Sequence, residues 1–349
     1  YLTRPELAVL TSYMKLHLKA SLTTVDYIDD PFLEPFLFNA FPTKLRRGYR
    51  DAILKHPLRR EIIASQLANS LVNLLGPSFV YRMVDSTGAS LADVVRAALI
   101  VIDIYNIERY WSEVEALDYQ VNSELQNEMM SRLIRLVRRS TRWLLRNRRS
   151  KIDFVAEREF FSEGIRRYKL MLPGKLPPDY SSMFTDKLQH LLDQGAPESL
   201  ARSVCKCDFL FPATSFVEIS DSTGEQLNNI VEIYFAIGEK LRLNWLGKII
   251  NQLPVANYWQ ALARETYLDD LAWQQRALTF NVVSMPGSSG STRSRVDDWA
   301  QSQAAQIFRI DKMLTQLQTE TQPDYAMFSV ALRELLNLAQ STAHQRELA

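Results

Sequence analysis

The chain has 349 residues, 46% hydrophobic and 23% charged, a balance that fits a globular protein with a sizeable core. Its 41 basic and 40 acidic side chains leave a net charge of +1, which excludes bulk attraction to nucleic acid or to a membrane surface. The 11 glycines are under half the usual ~7%, and no Gly-x-Gly occurs, which excludes a dinucleotide-binding α/β domain within the chain.

Helical spacing dominates from the start. Thr3-Arg4-Pro5-Glu6 reads as a capping box, with Thr3 capping and Glu6 reaching back. Leu7, Leu10, Met14, Leu18 and Leu22 then recur on one face. A short helix is predicted from Asp30, with Pro31 just inside its start. Helices over 43–55 and 57–75 follow, the second opened by Pro57 and closed by Gly76-Pro77. Residues 90–117 read as helix with a break near Asn106. Residues 119–149 read as one helix of roughly 45 Å, at about 1.5 Å per residue. Residues 152–172 give another helix, and the stretch Pro173-Gly174-Lys175-Leu176-Pro177-Pro178 marks the clearest internal boundary. Beyond it, helices are predicted over 180–194, 198–207, 226–253, 257–280, 293–318 and 325–340. Residues 286–291 form a Pro/Gly/Ser loop, and only 215–219 and 280–285 hint at extended structure.

The predicted fold is therefore all-α, a multi-helix orthogonal or bundle array. It divides at residues 173–178 into halves 1–172 and 179–349, or runs on as one domain. One echo bears on the choice. Phe79-Val80, then Asp85-Ser86-Thr87-Gly88, is repeated as Phe216-Val217, then Asp221-Ser222-Thr223-Gly224. Each precedes an apolar helix running to a tryptophan, Trp111 or Trp245. A duplication into two stacked halves and a chance likeness between glycine-ended joints account for this equally well.

Residues that carry chemistry are sparse. His17, His56, His190 and His344 have no partner at metal-ligand spacing. Cys205 and Cys207 lie two apart, about 200° around a helix, and read as small apolar residues in a reducing cytoplasm. No nucleophile elbow and no phosphate-binding loop is present. Asp29-Asp30, Asp269-Asp270 and Asp297-Asp298 are adjacent pairs of the kind that face water or cap helices. No catalytic, cofactor-binding or metal residue is expected. No apolar run reaches the ~20 residues of a membrane span; the longest, 97–104, is broken by Asp103. An opening on Tyr1, with neither Met nor a signal segment, points to a piece of a longer cytoplasmic chain.

The sharpest local feature is basic. Arg132, Arg135, Arg139, Arg142, Arg146 and Arg149 share one stripe of the helix over 119–149, roughly 100° wide, with Arg138, Arg148 and Lys151 nearby. Leu125, Met129, Leu133, Leu136, Val137 and Leu144 form the neighbouring apolar face, with Trp143 at the edge. The preceding stretch holds Asp103, Glu108, Glu113, Glu115, Asp118, Glu124 and Glu128 against Arg109. Pairing with those acids, or docking on an acidic surface of an adjoining domain, outweighs nucleic-acid binding at so small a net charge. The other class of reading is a stand-alone helical adaptor that binds RNA or protein through this face.

Four segments, in order, carry a more specific signal. They are Leu2-Thr3-Arg4-Pro5-Glu6-Leu7-Ala8-Val9-Leu10; the run from Leu58-Arg59-Arg60-Glu61-Ile62-Ile63 through Asn69 to Gly76; Trp111 with Glu115-Ala116-Leu117-Asp118; and Arg139-Ser140-Thr141-Arg142-Trp143-Leu144 through Arg146. Together, over about residues 1–160, they resemble the C-terminal helical region of the large bacterial NAD-specific glutamate dehydrogenases. The resemblance implies a full-length enzyme that deaminates L-glutamate to 2-oxoglutarate and ammonia while reducing NAD. It also implies that the catalytic lysine and aspartate and the glycine-rich loop belong to preceding domains. No residue here matches them, so none is carried over and no cofactor is expected in this chain. The expected partners are those preceding domains and, in the full enzyme, further copies of the subunit.

Overall fold

The computed structural model describes residues 3–148, 152–285, 290–320 and 324–348, with side chains of the last helix described to residue 343. Every regular element among them is a helix. In chain order they are α1 (Arg4–Thr23), a 3-10 turn (Pro31–Leu33), α2 (Glu34–Asn39), α3 (Thr43–Gly48), α4 (Arg50–Leu54) and α5 (Arg59–Leu75). Next come α6 (Phe79–Thr87), α7 (Leu91–Ile104), α8 (Ile107–Glu115), α9 (Ser123–Asn147) and α10 (Phe154–Met171). Then follow α11 (Pro178–Asp193), α12 (Glu198–Cys207), α13 (Ala213–Thr223), α14 (Leu227–Lys240) and α15 (Leu243–Gln252). The last are α16 (Tyr258–Val283), α17 (Thr292–Ser302), α18 (Ala304–Thr319) and α19 (Tyr325–Leu348). No helix among the described residues is long and apolar enough to cross a membrane.

The chain forms two compact units, Tyr1–Ser162 with Gln194–Asp208, and Glu163–Asp193 with Phe209–Ala349. The division falls inside α10, where the composition is that of any helix. The proline-rich stretch 173–178 lies within the second unit, tied to it by a 2.6 Å hydrogen bond from Lys175 Nζ to Glu232.

In the first unit α7 is the centre. Ser90 caps it by accepting from the Asp93 N–H at 3.1 Å, and the residues from Val94 to Ile102 are buried on all sides. α9 lies against it with Leu125, Met129, Leu133, Leu136, Val137 and Leu144 buried, the apolar face read from the sequence. The capping box opens α1 as expected: the Thr3 N–H and hydroxyl both donate to the Glu6 carboxylate at 2.8 Å. Its expected apolar face is only half used. Leu18 and Leu22 are buried, whereas Leu7 and Leu10 stand in the open.

The echo proves to be a structural repeat. α6 and α13 both end on a threonine whose hydroxyl donates 2.6 Å to the carbonyl four residues back, Thr87 to Met83 and Thr223 to Ile219. Gly88 and Gly224 then take left-handed φ values of 70° and 72°, which a Cβ would strain. A 14-residue helix follows in each, α7 or α14, ending at a second left-handed residue, Asn106 (φ 59°) or Arg242 (φ 52°). A short helix and a long one complete each series, α8 with α9 and α15 with α16. α7 packs on α6, α8 and α9 as α14 packs on α13, α15 and α16. A chance likeness at one joint does not extend through four consecutive helices.

Both hints of extended structure are overturned. Residues 215–219 lie in α13, and 280–283 complete α16. Phe216, Val217, Ile219, Val282 and Val283 are buried, and a short apolar run fits a buried helix segment as well as a strand. α6 belongs to the same class of missed helices. Predicted helices also break where the backbone turns: 43–55 at Tyr49, 226–253 at Arg242 and 293–318 at Gln303. α9 begins at Ser123 because Tyr119 adopts φ 62°. The loop 286–289 lies outside the described residues.

The second unit is built around Trp299, Tyr168, Phe216 and Phe328, all fully buried. In α10, a Cβ on Gly164 would run into the Val217 side chain, so the close approach of α10 and α13 needs glycine there. Buried Arg295 ties the ends of three helices, donating to Glu225 at 2.6 Å and to the Val283 carbonyl at 2.8 Å. The hydrogen bond from Arg295 holds the Glu225 carboxyl below its ordinary value of 4.5, against a desolvation that pushes it up, with help from Asn229 and the Gln226 N–H. A depressed carboxylate contributes stability that is present above the unfolded pKa and lost as pH falls through the folded one. Glu225→Gln should therefore cost about 2 kcal/mol at neutral pH. Thermal unfolding across pH should show the gap between wild type and variant closing as the pH drops below 4.5.

Candidate functional site

The arginine stripe of α9 is the candidate site, and the structure separates its members. Arg132 is 8% exposed. Its Nη2 donates to Glu128 at 2.7 Å, one helical turn back, and its Nη1 donates to Asp208 just beyond α12. The Asp208 side chain is itself 8% exposed. Burial pulls the Arg132 pKa down, but Asp208 and Glu128 outweigh it, so the guanidinium is held more firmly charged than usual.

Arg135 is exposed and reaches the other Asp208 oxygen at 3.7 Å. Arg138 donates at 3.0 Å to the carbonyl of Leu75, the last residue of α5, where a cation also suits the negative end of the helix dipole. Arg139 and Arg142 are half-buried and Arg146 is exposed. Arg148 pairs with Glu157 at 3.2 Å and lies 4.5 Å from the ring centre of Phe160. Arg149 and Lys151 lie outside the described residues.

These geometries describe a basic face with its foot anchored inside the protein. Two of the anchoring acids, Asp208 and Glu157, lie outside the acidic stretch that the sequence pointed to. Several acids of that stretch are engaged elsewhere: Asp103 pairs with Arg158 at 3.0 Å, Glu113 with Arg109 at 2.7 Å, and Glu115 accepts from Trp111 at 2.9 Å. Glu128 is the member that meets Arg132. Cys205 and Cys207 are both buried in α12. Among the described residues no group of three or more His, Cys, Asp or Glu side chains is placed to hold a metal ion.

Compared with known proteins, residues 1–337 match the family described as glutamate dehydrogenase, C-terminal. The chain belongs to this family. The likeness runs well past residue 160, where the sequence motifs cease to be distinctive. It is 41% identical over 343 residues to the NAD-specific glutamate dehydrogenase of Pseudomonas aeruginosa, covering 98% of this chain and 21% of that protein. The NAD-specific glutamate dehydrogenase of Halomonas elongata is 37% identical over 347 residues, and that of Mycobacterium tuberculosis 27% over 341, with the same coverage. This glutamate dehydrogenase C-terminal region thus spans about a fifth of the length of the curated relatives it matches.

Proposed function

We propose that the chain is the non-catalytic, C-terminal helical domain of a cytoplasmic NAD-dependent glutamate dehydrogenase, and that it braces the catalytic core or the contacts between subunits. The observation that carries this reading is the family match through residues 1–337, nearly the whole chain, by a region that makes up only 21% of its relatives. The local chemistry agrees with it. Hydride transfer needs NAD and substrate held in one geometry, with the pyrophosphate on open backbone N–H groups at a helix start. Among the described residues, the glycines with positive φ, Gly76, Gly88, Gly195 and Gly224, each follow the end of a helix.

In this reading the exposed Arg135 and Arg146, with Arg139 and Arg142 beside them, face an acidic surface of a neighbouring domain or subunit. Arg132 fixes the face from beneath. The full-length enzyme tests the proposal. Removing the region equivalent to residues 1–349 should abolish stable assembly and lower NAD-dependent glutamate oxidation at least about tenfold, as the loss of positioning does. The excised region mixed with NAD and L-glutamate should form no NADH. A truncated enzyme that assembles and turns over normally would refute the bracing role. Tight RNA binding that falls steeply with salt would favour the adaptor reading instead.

A further inference from the structure

The first half of α1 is out of keeping with the rest of its unit. Every residue from Thr3 to Leu10 is exposed, so two full turns of helix have no buried side. Yet Leu7, Val9 and Leu10 lie here, with Tyr13 and Leu16 in the turns that follow, all between 41% and 68% exposed. Leu7, Leu10, Tyr13 and Leu16 are spaced three apart and form one continuous ridge, with Val9 alongside Tyr13 and Leu16. The ridge winds half-way round the helix from the line of Leu7, and along that line the later turns are already covered. Leu18 and Leu22 are buried, α5 packs against α1, and Lys15 Nζ donates to Asn73 of α5 at 2.8 Å. Single exposed leucines are ordinary, but a contiguous ridge of this kind marks an interaction surface. Two unpacked turns are also marginal as helix in water, where most helical stability comes from packing of an apolar face.

We propose that this ridge is covered, in the full-length protein, by the part of the same polypeptide that precedes Tyr1. The inference rests on the proposed function. On that reading a region matching 21% of its relatives, and described as their C-terminal part, follows the bulk of the chain. That preceding chain enters directly at α1, six residues before Leu7. A tethered surface reaches the ridge at a far higher effective concentration than any free partner or second copy. The ridge itself carries no charge, so its counterpart is apolar. Its three-residue spacing suits the grooves of a packed helix. α1 thereby becomes the joint through which the helical region is held on the domains before it.

The test uses full-length protein carrying Tyr13→Cys or Leu16→Cys, read by mass spectrometry after timed reaction with a water-soluble maleimide. The expected result is labelling at least about tenfold slower in the native protein than in urea, as for a site that reacts only on local opening. Labelling at the rate of the unfolded chain overturns the inference. A photo-cross-linking residue at Tyr13 identifies the cover, using two differently tagged copies of which one bears the cross-linker. Cross-links to the preceding segment of the bearing copy support the inference, and cross-links to the other copy overturn it. NAD-dependent glutamate oxidation by the wild type is measured alongside. An open ridge in an active enzyme overturns the inference and leaves the proposed function standing. An inactive wild type overturns the proposed function, and the inference with it.

Discussion

Arg132→Ala should destabilise the first unit by about 3–5 kcal/mol, the usual cost of breaking a buried ion pair by removing one partner. The reason is burial on both sides. The two side chains are 9% and 8% exposed, so Asp208 loses its close counter-charge in a place water barely reaches. Arg135, at 3.7 Å and 63% exposed, is too distant and too well solvated to take over. Arg132→Lys should recover little, because an ammonium lacks the fork that meets Glu128 and Asp208 at once. Asp208→Asn in the wild-type background should also be costly, but less so once Arg132 has been replaced. Urea unfolding of the four chains of the cycle measures this, with a coupling energy of about 2 kcal/mol or more expected for groups in direct contact. A coupling near zero would place the pair among surface ion pairs and detach the arginine face from its anchor.

How much of this was legible before the structure follows from where each signal lies in the sequence. Caps and spacing are local, so Thr3 with Glu6, the apolar face of α9 and the break at Asn106 could all be read. Local reading fails at two kinds of place. One is a turn made by a residue with no turn character, such as Arg242 at φ 52° between α14 and α15. The other is a contact between distant residues. Asp208 lies 76 positions from Arg132, and nothing in its neighbourhood announces a buried acid, although it follows two cysteines that are themselves buried. The failure at Leu7 and Leu10 is different again. Their spacing is that of a buried face, and they are exposed in this chain. That mismatch, between what the sequence prepares and what the fold covers, is the ground for assigning the ridge of α1 to a neighbour. The arginine stripe shows the reverse: a pattern typical of solvated charge proves to contain Arg132, one of the few buried arginines among the described residues.

Arg96 is a second such residue, and replacing it should be nearly as damaging. It sits in the middle of the most apolar helix, α7, 4% exposed, where a lone charge without partners would not be tolerated. Its partners come from two distant segments. Nη1 donates to the carbonyl of Ile152 at 3.0 Å, and Nη2 to Asp26 at 2.7 Å. The guanidinium also lies 4.3 Å from the ring centre of Tyr27, whose hydroxyl donates to the Ala92 carbonyl at 2.8 Å. Burial pushes that hydroxyl above its ordinary pKa, so it stays protonated and able to donate. Tyr27 meets Phe154 edge-on, and Phe32 stacks on Phe154 at 4.5 Å, so the same cluster fixes the start of α10. Arg96→Ala orphans the Ile152 carbonyl, at about 1–3 kcal/mol. It also removes a desolvated cation–π contact worth up to about 2 kcal/mol. The expected loss is therefore about 3–4 kcal/mol, with Arg96→Lys keeping less than half of the difference because one ammonium cannot serve the carbonyl, the carboxylate and the ring together. Arg96→Met separates packing from polarity. Arg96→Met should unfold well below wild type, and amide exchange should quicken around Tyr27 and Phe154 while α14 in the second unit keeps its protection. Unfolding at the wild-type temperature would make Arg96 a space filler whose contacts with Ile152, Asp26 and Tyr27 contribute nothing.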